Sequence, residues 1–238
     1  MSFSNVYEDP DRAASYALLE FPGTYYLAFR DLPGILGRGA GEQALDFGCG
    51  TGRSTRFLAG LGFDVVGVDI STEMLEQARR LDADGEYRLV GDGDLSSLGS
   101  AEFAAILAAF TFDNIPGLGH KAATLGQLGD RLGSGGRIVL VVSAPEIYVN
   151  EWASFTTSAY PENRDAGSGD MVRIVMKDVE DGRAVEDVLC TDDDYREVFS
   201  RANLTLLETL RPLGTANEPF EWISETEIAA WTIYVLAK

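Results

Sequence analysis

Residues 45–54 read LDFGCGTGRS. Gly48, Gly50 and Gly52 alternate with other residues directly after an apolar run, and a hydroxyl-rich helix start follows. Glycine at that density marks a backbone that must turn sharply or let a ligand come very close. QALDFG (43–48) reads as the strand before the turn, and TRFLAGL (55–61) lies in the helix after it. Strand, glycine turn and helix in that order aim backbone amides and the positive end of a helix at whatever sits above them.

Outward from the turn the alternation repeats. DVVGVDI (64–70) is a second strand, ended by Asp69, and STEMLEQARRL (71–81) is a helix capped by Ser71 or Thr72. Met74, Leu75, Ala78 and Leu81 fall on one face of that helix. EYRLV (86–90) is a third strand running into GDGDL, and FAAILAAF (103–110) is a fourth, apolar throughout as a doubly covered strand should be. A helix over about 117–132, weakened by Gly126 and Gly129, leads through the turn GSGG (133–136) into the fifth strand, RIVLVVS. Such alternation predicts a parallel α/β sheet flanked by helices.

The pattern changes after residue 143. Residues 144–170 are aromatic, polar and irregular, then MVRIVMKD and RAVEDVLC read as an antiparallel hairpin turning at Asp181-Gly182. TDDDYREVFSRAN (191–203) is a helix with Thr191 as N-cap, a solvated run of three aspartates and Asn203 as a left-handed stop. LTLLETLRPL and AAWTIYVLAK are the last two strands, antiparallel partners. One domain is expected, in four parts: an N-terminal helical cap (1–40), a core (41–143), a cap insertion (144–190) and a closing helix with two strands (191–238).

Composition narrows the partners. With 38 acidic and 19 basic residues among 238, the net charge of −19 repels a phosphate backbone, so neither nucleic acid nor an anionic membrane surface is expected. The first residues carry no basic and apolar leader, and no apolar run approaches the ~20 residues a bilayer span needs. Two distant cysteines and one histidine make neither a disulfide framework nor a transition-metal site. A cytoplasmic monomer or homodimer, with no metal, is expected.

The spacing of the turn separates two ligand classes. A dinucleotide pyrophosphate wants G-x-G-x-x-G; here the glycines run G-x-G-x-G and Arg53 stands where the third would be. Asp46, inside the strand end, is an awkward charge to aim at a pyrophosphate and suits a ligand end that bears an ammonium group. Asp69 at the second strand tip suits both hydroxyls of a ribose. Asp92 after the third suits the exocyclic amine of an adenine, with the Gly93 amide facing the ring; Asp94 is the alternative for that role. Carboxylates at three successive strand tips, for amino acid, ribose and base, describe S-adenosylmethionine.

LDFGCGTGRSTRFLA, VVGVDISTEML, RLVGDGDL, AILAAFTFDNI and LGSGGRIVLVVS resemble, in order and spacing, the successive motifs of class I S-adenosylmethionine-dependent methyltransferases over about residues 40–143. The remainder is similar to the small-molecule branch, although most members have glycine where Asn203 stands. The resemblance implies a Rossmann-like sheet of five parallel strands plus a C-terminal antiparallel pair, helices on both faces and a small cap. It implies a cofactor loop of Gly48, Cys49, Gly50 and Gly52, with Ile70 and Met74 flanking the adenine and Ala109 and Phe110 lining the methionine end. A tyrosine or arginine of the N-terminal segment, Tyr16 or Arg30, would touch the cofactor carboxylate.

The acceptor site is expected above the fourth strand. Asp113 and Asn114 are candidates to contact the acceptor, and His120, the only histidine, is a candidate general base. Tyr148, Trp152 and Trp222 are candidates for an aromatic acceptor pocket. Alignment of acceptor and methyl in a capped pocket, rather than acid–base chemistry, would carry the rate. A protein that binds the cofactor for another reaction such as cyclisation, or as a non-catalytic partner, would share all of these motifs.

Overall fold

The structure, a computed structural model, describes residues 13, 14, 17, 21–179 and 181–238. The short helices α1 (Thr24–Phe29) and α2 (Leu32–Leu36) lie directly before the core. The core runs β1 (Gln43–Phe47), α3 (Arg53–Gly60), β2 (Asp64–Asp69), α4 (Thr72–Leu81), β3 (Glu86–Leu89), β4 (Phe103–Ala109), α5 (Leu118–Asp130) and β5 (Leu132–Ser143). Then come β6 (Phe155–Thr156), β7 (Met171–Met176), β8 (Val185–Val188), α6 (Asp192–Arg201), β9 (Thr205–Leu210) and β10 (Trp231–Ala237). The main sheet has seven strands in the order β3-β2-β1-β4-β5-β10-β9, the first five parallel and β10 antiparallel to both neighbours.

Both faces of this sheet are covered, which is why its strands are apolar at odd and even positions alike. Ala105, Leu107, Val139 and Val141 pack on one face against α1 and the insertion. Ile106, Ala108, Ile138 and Leu140 pack on the other against α5 and α6. Helix ends follow local chemistry. The Ser71 hydroxyl accepts from the Met74 amide, and Thr191 with Asp194 forms a capping box. Asn203 stops α6 at φ 55°.

Four details differ from the sequence reading. β5 begins at Leu132, which pairs with Phe103; residues 133–136 then form a bulge, with Gly135 at φ 75°, before Arg137 resumes the pairing opposite Ala105. Leu81, the last residue of α4, is exposed although Met74, Leu75 and Ala78 are buried. The connection from β7 to β8 spans 177–184, longer than a two-residue Asp181-Gly182 turn. The aspartates opening α6 are not all solvated: Asp192 accepts from the Tyr234 hydroxyl at 2.7 Å, and Asp194 serves the cap.

The insertion builds a small antiparallel sheet, β6-β7-β8, beside α1. Polar contacts tie it down: Glu225, buried, accepts from the Thr24 hydroxyl and the Ala153 amide, and the Trp231 indole donates to the Thr24 carbonyl. The Tyr25 hydroxyl donates to the Met176 sulfur. None of the described helices is long and apolar enough to cross a membrane.

Candidate functional site

Strand order reverses between β1 and β4, so the chain leaves their carboxyl ends in opposite directions and opens a crevice there. A cavity of about 500 Å³ fills it. Of the residues anticipated from sequence, Gly48, Cys49, Gly50, Asp69, Ile70, Met74, Asp92, Gly93, Ala109, Phe110 and Asn114 line this cavity. Apart from Met74 on α4, they come from the ends of four adjacent strands, with Asp92 after β3, Asp69 on β2, the glycine turn after β1 and Phe110 after β4.

The turn has left-handed backbone at Gly48, Gly50 and Gly52, with φ of 72°, 53° and 80°. At Gly50 nothing stands within 4 Å of where a side chain would begin, so that space belongs to the cavity. Gly52 is different: a Cβ there would lie 2.5 Å from the Tyr87 hydroxyl, and the residue packs on Tyr87 instead of lining the cavity. Asp69 braces the turn. One carboxylate oxygen accepts from the Gly50 amide at 2.8 Å and the other from the Ser71 amide at 2.9 Å. Burial raises the Asp69 pKa, and the backbone donors of Ser71, Gly50 and Ile70 hold it back. Burial pushes the Cys49 thiol well up, which keeps it protonated as a small wall residue.

Asp46 stands behind the turn and is not a lining residue. One of its oxygens accepts from the hydroxyls of Ser54 and Thr55, clamping β1 to α3, and the other has no hydrogen-bond partner among the described residues. Burial pushes its carboxyl from 3.8 up to about 6, against the pull of those hydroxyls. The folded protein therefore holds this proton more tightly than the unfolded chain does. The group favours folding most below pH 3.8, and that contribution is lost as pH rises through about 6. Asp46→Asn, which cannot titrate, should gain about 3 kcal/mol relative to wild type between pH 3 and pH 8. Urea unfolding across that range checks it; a pH-independent difference would show Asp46 titrating normally.

Several anticipated residues lie elsewhere. The Arg30 guanidinium is held by Asp31 and, at 2.8 Å, by Glu218, away from the cavity. Tyr16 lies outside the described residues. Asp113 faces the core: its carboxylate accepts from the Ser143 amide and the Tyr195 hydroxyl, so it does not reach an acceptor. His120 sits 3.2 Å from Asp92 and does not itself line the cavity. Tyr148 and Trp152 are buried, donating to Asp187 and to the Ile147 carbonyl, and Trp222 donates to the Thr215 carbonyl. None of these three lines the cavity, because the small sheet and the 211–225 segment absorb them as packing.

Arg53 and Thr124 are among the lining residues that were not anticipated as site residues. Arg53, the first residue of α3, presents its guanidinium at the β1–β4 end. Its position directly after the last glycine of the turn was a readable signal. Thr124 on α5 is 2 % exposed, and its hydroxyl has no partner among the described residues. It lies four residues before Leu128, on a face where sequence favours an apolar residue. The Asn114 side-chain oxygen is likewise buried without a partner, while its amide nitrogen donates to the Phe110 carbonyl. Phe110 has φ of 63°, a strained value for a residue with a side chain. Its amide donates to Val141 and its ring packs on Trp231 with centroids 4.7 Å apart, so the surroundings hold the strain.

Residues 44–136 match the family model described as a methyltransferase domain. A demethylmenaquinone methyltransferase of Tropheryma whipplei is 41% identical over 104 residues, 41% of this chain and 43% of that protein. A ubiquinone biosynthesis O-methyltransferase of Burkholderia orbicola is 34% identical over 121 residues, 50% of this chain and 45% of that protein. The aligned stretch thus spans less than half the length of these curated relatives. The solved CcbJ methyltransferase of Streptomyces caelestis superposes with a TM-score of 0.63 at 19% identity, covering 94% of this chain and 95% of that one. The matched stretch coincides with the strands and turns that build the cavity. Over residues 44–136 the chain is thus similar to methyltransferases, and over nearly its whole length it shares the fold of a solved one.

Proposed function

We propose that this protein transfers a methyl group from S-adenosylmethionine to a small organic acceptor. The observation that carries the reading is one cavity crossing four strand ends, with Asp92, Asp69 and an open glycine turn in succession. Asp92 would take the base amine, Asp69 the ribose hydroxyls, and the Gly48–Gly50 backbone with Arg53 the amino-acid tail. Orphaned polar atoms support the fit: the Thr124 hydroxyl and the Asn114 oxygen are buried in the wall with no hydrogen-bond partner among the described residues.

When bound, the cofactor supplies a methyl on cationic sulfur: the sulfur–carbon bond breaks as the acceptor–carbon bond forms, sulfur keeps the electron pair, and the acceptor's proton leaves to solvent. The chain's task is alignment. With three strand ends occupied by base, sugar and tail, the acceptor is left the β4 end beside Phe110, under α1. Phe29 of α1 and Phe110 wall that end and exclude water, and holding reactants in attack geometry is worth about 7–11 kcal/mol. The curated relatives, by their names, methylate quinone precursors, which fits an acceptor of small organic size.

Calorimetric titration with S-adenosylmethionine, S-adenosylhomocysteine and NADH tests the reading, followed by incubation with labelled cofactor and an acceptor panel. Binding of the two S-adenosyl ligands but not NADH, then release of S-adenosylhomocysteine with an acceptor, is expected. NADH binding alone would overturn it. Thr124→Val adds a sharper check. It removes a hydroxyl that is unpaired among the described residues, so thermal stability should hold or rise while cofactor affinity falls by about fivefold. Unchanged affinity would return Thr124 to packing.

A further inference from the structure

Arg53 is not alone at the β1–β4 end. Its guanidinium carbon lies 4.9 Å from the ring centre of Tyr25, 5.2 Å from Phe21, 5.7 Å from Phe29 and 5.9 Å from Phe110. All four distances fall within the ~6 Å over which a ring face attracts a cation. The rings come from α1, from the residue run before it and from the end of β4, so the tertiary fold assembles this cage. Phe29, Phe110 and Arg53 belong to the cavity wall itself.

We infer that these rings form a cation subsite that favours the sulfonium cofactor over its neutral thioether product, with Arg53 occupying the subsite until a ligand carboxylate draws it away. The inference rests on the cofactor reading above. With the base at β3 and the sugar at β2, the sulfur and the amino-acid tail fall at β1 and β4, beside the cage. Two cations do not share one set of ring faces without mutual repulsion, so an arriving sulfonium and the guanidinium compete for it. The tail carboxylate resolves the conflict, because a guanidinium pairs with a carboxylate more strongly than with a ring. Once the methyl has left, the sulfur is neutral and loses its attraction to the rings, which favours product release and the return of Arg53.

The test compares affinities for S-adenosylmethionine and S-adenosylhomocysteine, which share base, sugar and tail and differ in sulfur charge. Phe110→Leu keeps apolar bulk but removes the ring face; it should weaken S-adenosylmethionine about tenfold and leave S-adenosylhomocysteine unchanged. Phe29→Leu should do the same, and circular dichroism confirms that each variant is folded. Arg53→Met should weaken both ligands alike, since both carry the carboxylate. If both phenylalanine variants move the two ligands together, or move neither, the rings are packing only and the inference fails. Should wild type bind neither ligand, the cofactor reading itself falls, a different result from a lost preference.

Discussion

Asp69→Ala is expected to weaken S-adenosylmethionine and S-adenosylhomocysteine by about 100-fold, with the fold retained. Two charge-assisted hydrogen bonds to ribose hydroxyls are each worth about 1.5–3 kcal/mol, and losing both removes at least two decades of affinity. The carboxylate also holds the Gly50 amide at 2.8 Å and the Ser71 amide at 2.9 Å, so its loss loosens the turn proposed to receive the tail. Stability should change little. Burial already raises the Asp69 pKa, which means the folded state gains nothing by keeping that charge, and its removal offsets the lost backbone bonds. Asp69→Asn separates the two contributions: the amide oxygen can still accept one bond while the charge is gone, and an intermediate affinity is expected. Calorimetry decides, and wild-type affinity in the alanine variant would overturn the ribose assignment.

Asp113→Asn should instead act on stability, lowering it by about 3 kcal/mol at neutral pH while cofactor affinity stays as in wild type. Asp113 and Lys121 are both buried, Lys121 fully so, and the ammonium donates to the Phe112 carbonyl. Burial pushes the Asp113 carboxyl up to about 6 and the Lys121 ammonium down, and the attraction between them opposes both shifts. Removing one charge strands the other in the core. The cost should shrink as pH rises, because Lys121 then sheds its proton. Replacing both, with Asp113→Asn and Lys121→Met together, should recover most of the loss, since a well-packed apolar substitute does no worse than a buried pair. Urea unfolding of the two single variants and the double variant measures this coupling. Equal instability of the single and double variants would show that the carboxylate acts through its bond to the Ser143 amide alone.

The strand-turn-helix units were legible because their signals are local. An apolar run, three glycines and a hydroxyl-rich helix start specify β1, the turn and α3 without reference to the rest of the chain. Ser71, Thr191 and Asn203 were readable as helix ends for the same reason: a cap bonds backbone within three or four residues of itself. Asp69 and Asp92 followed once the strands were known, since a residue just past a strand tip of a parallel sheet faces the crevice.

The misplaced residues share a different property. Asp113 and Asn114 are neighbours, both polar and both in a turn, yet one faces the core and the other the cavity. Which way each points depends on Ser143 and Tyr195, 30 and 82 residues away. His120 ended beside Asp92 because α5 passes over the β3 end of the sheet. Trp152 and Tyr148 looked like pocket walls by composition, and long-range packing made them core.

The sequence by itself thus determined the order of elements, the glycine turn and the carboxylates at the strand tips, because each depends on bonds and sterics among near neighbours. Only the tertiary structure decided which polar side chains meet the cavity and which rings gather around Arg53. Those outcomes turn on contacts between segments far apart in the chain, where a single buried partner reverses the direction a side chain takes.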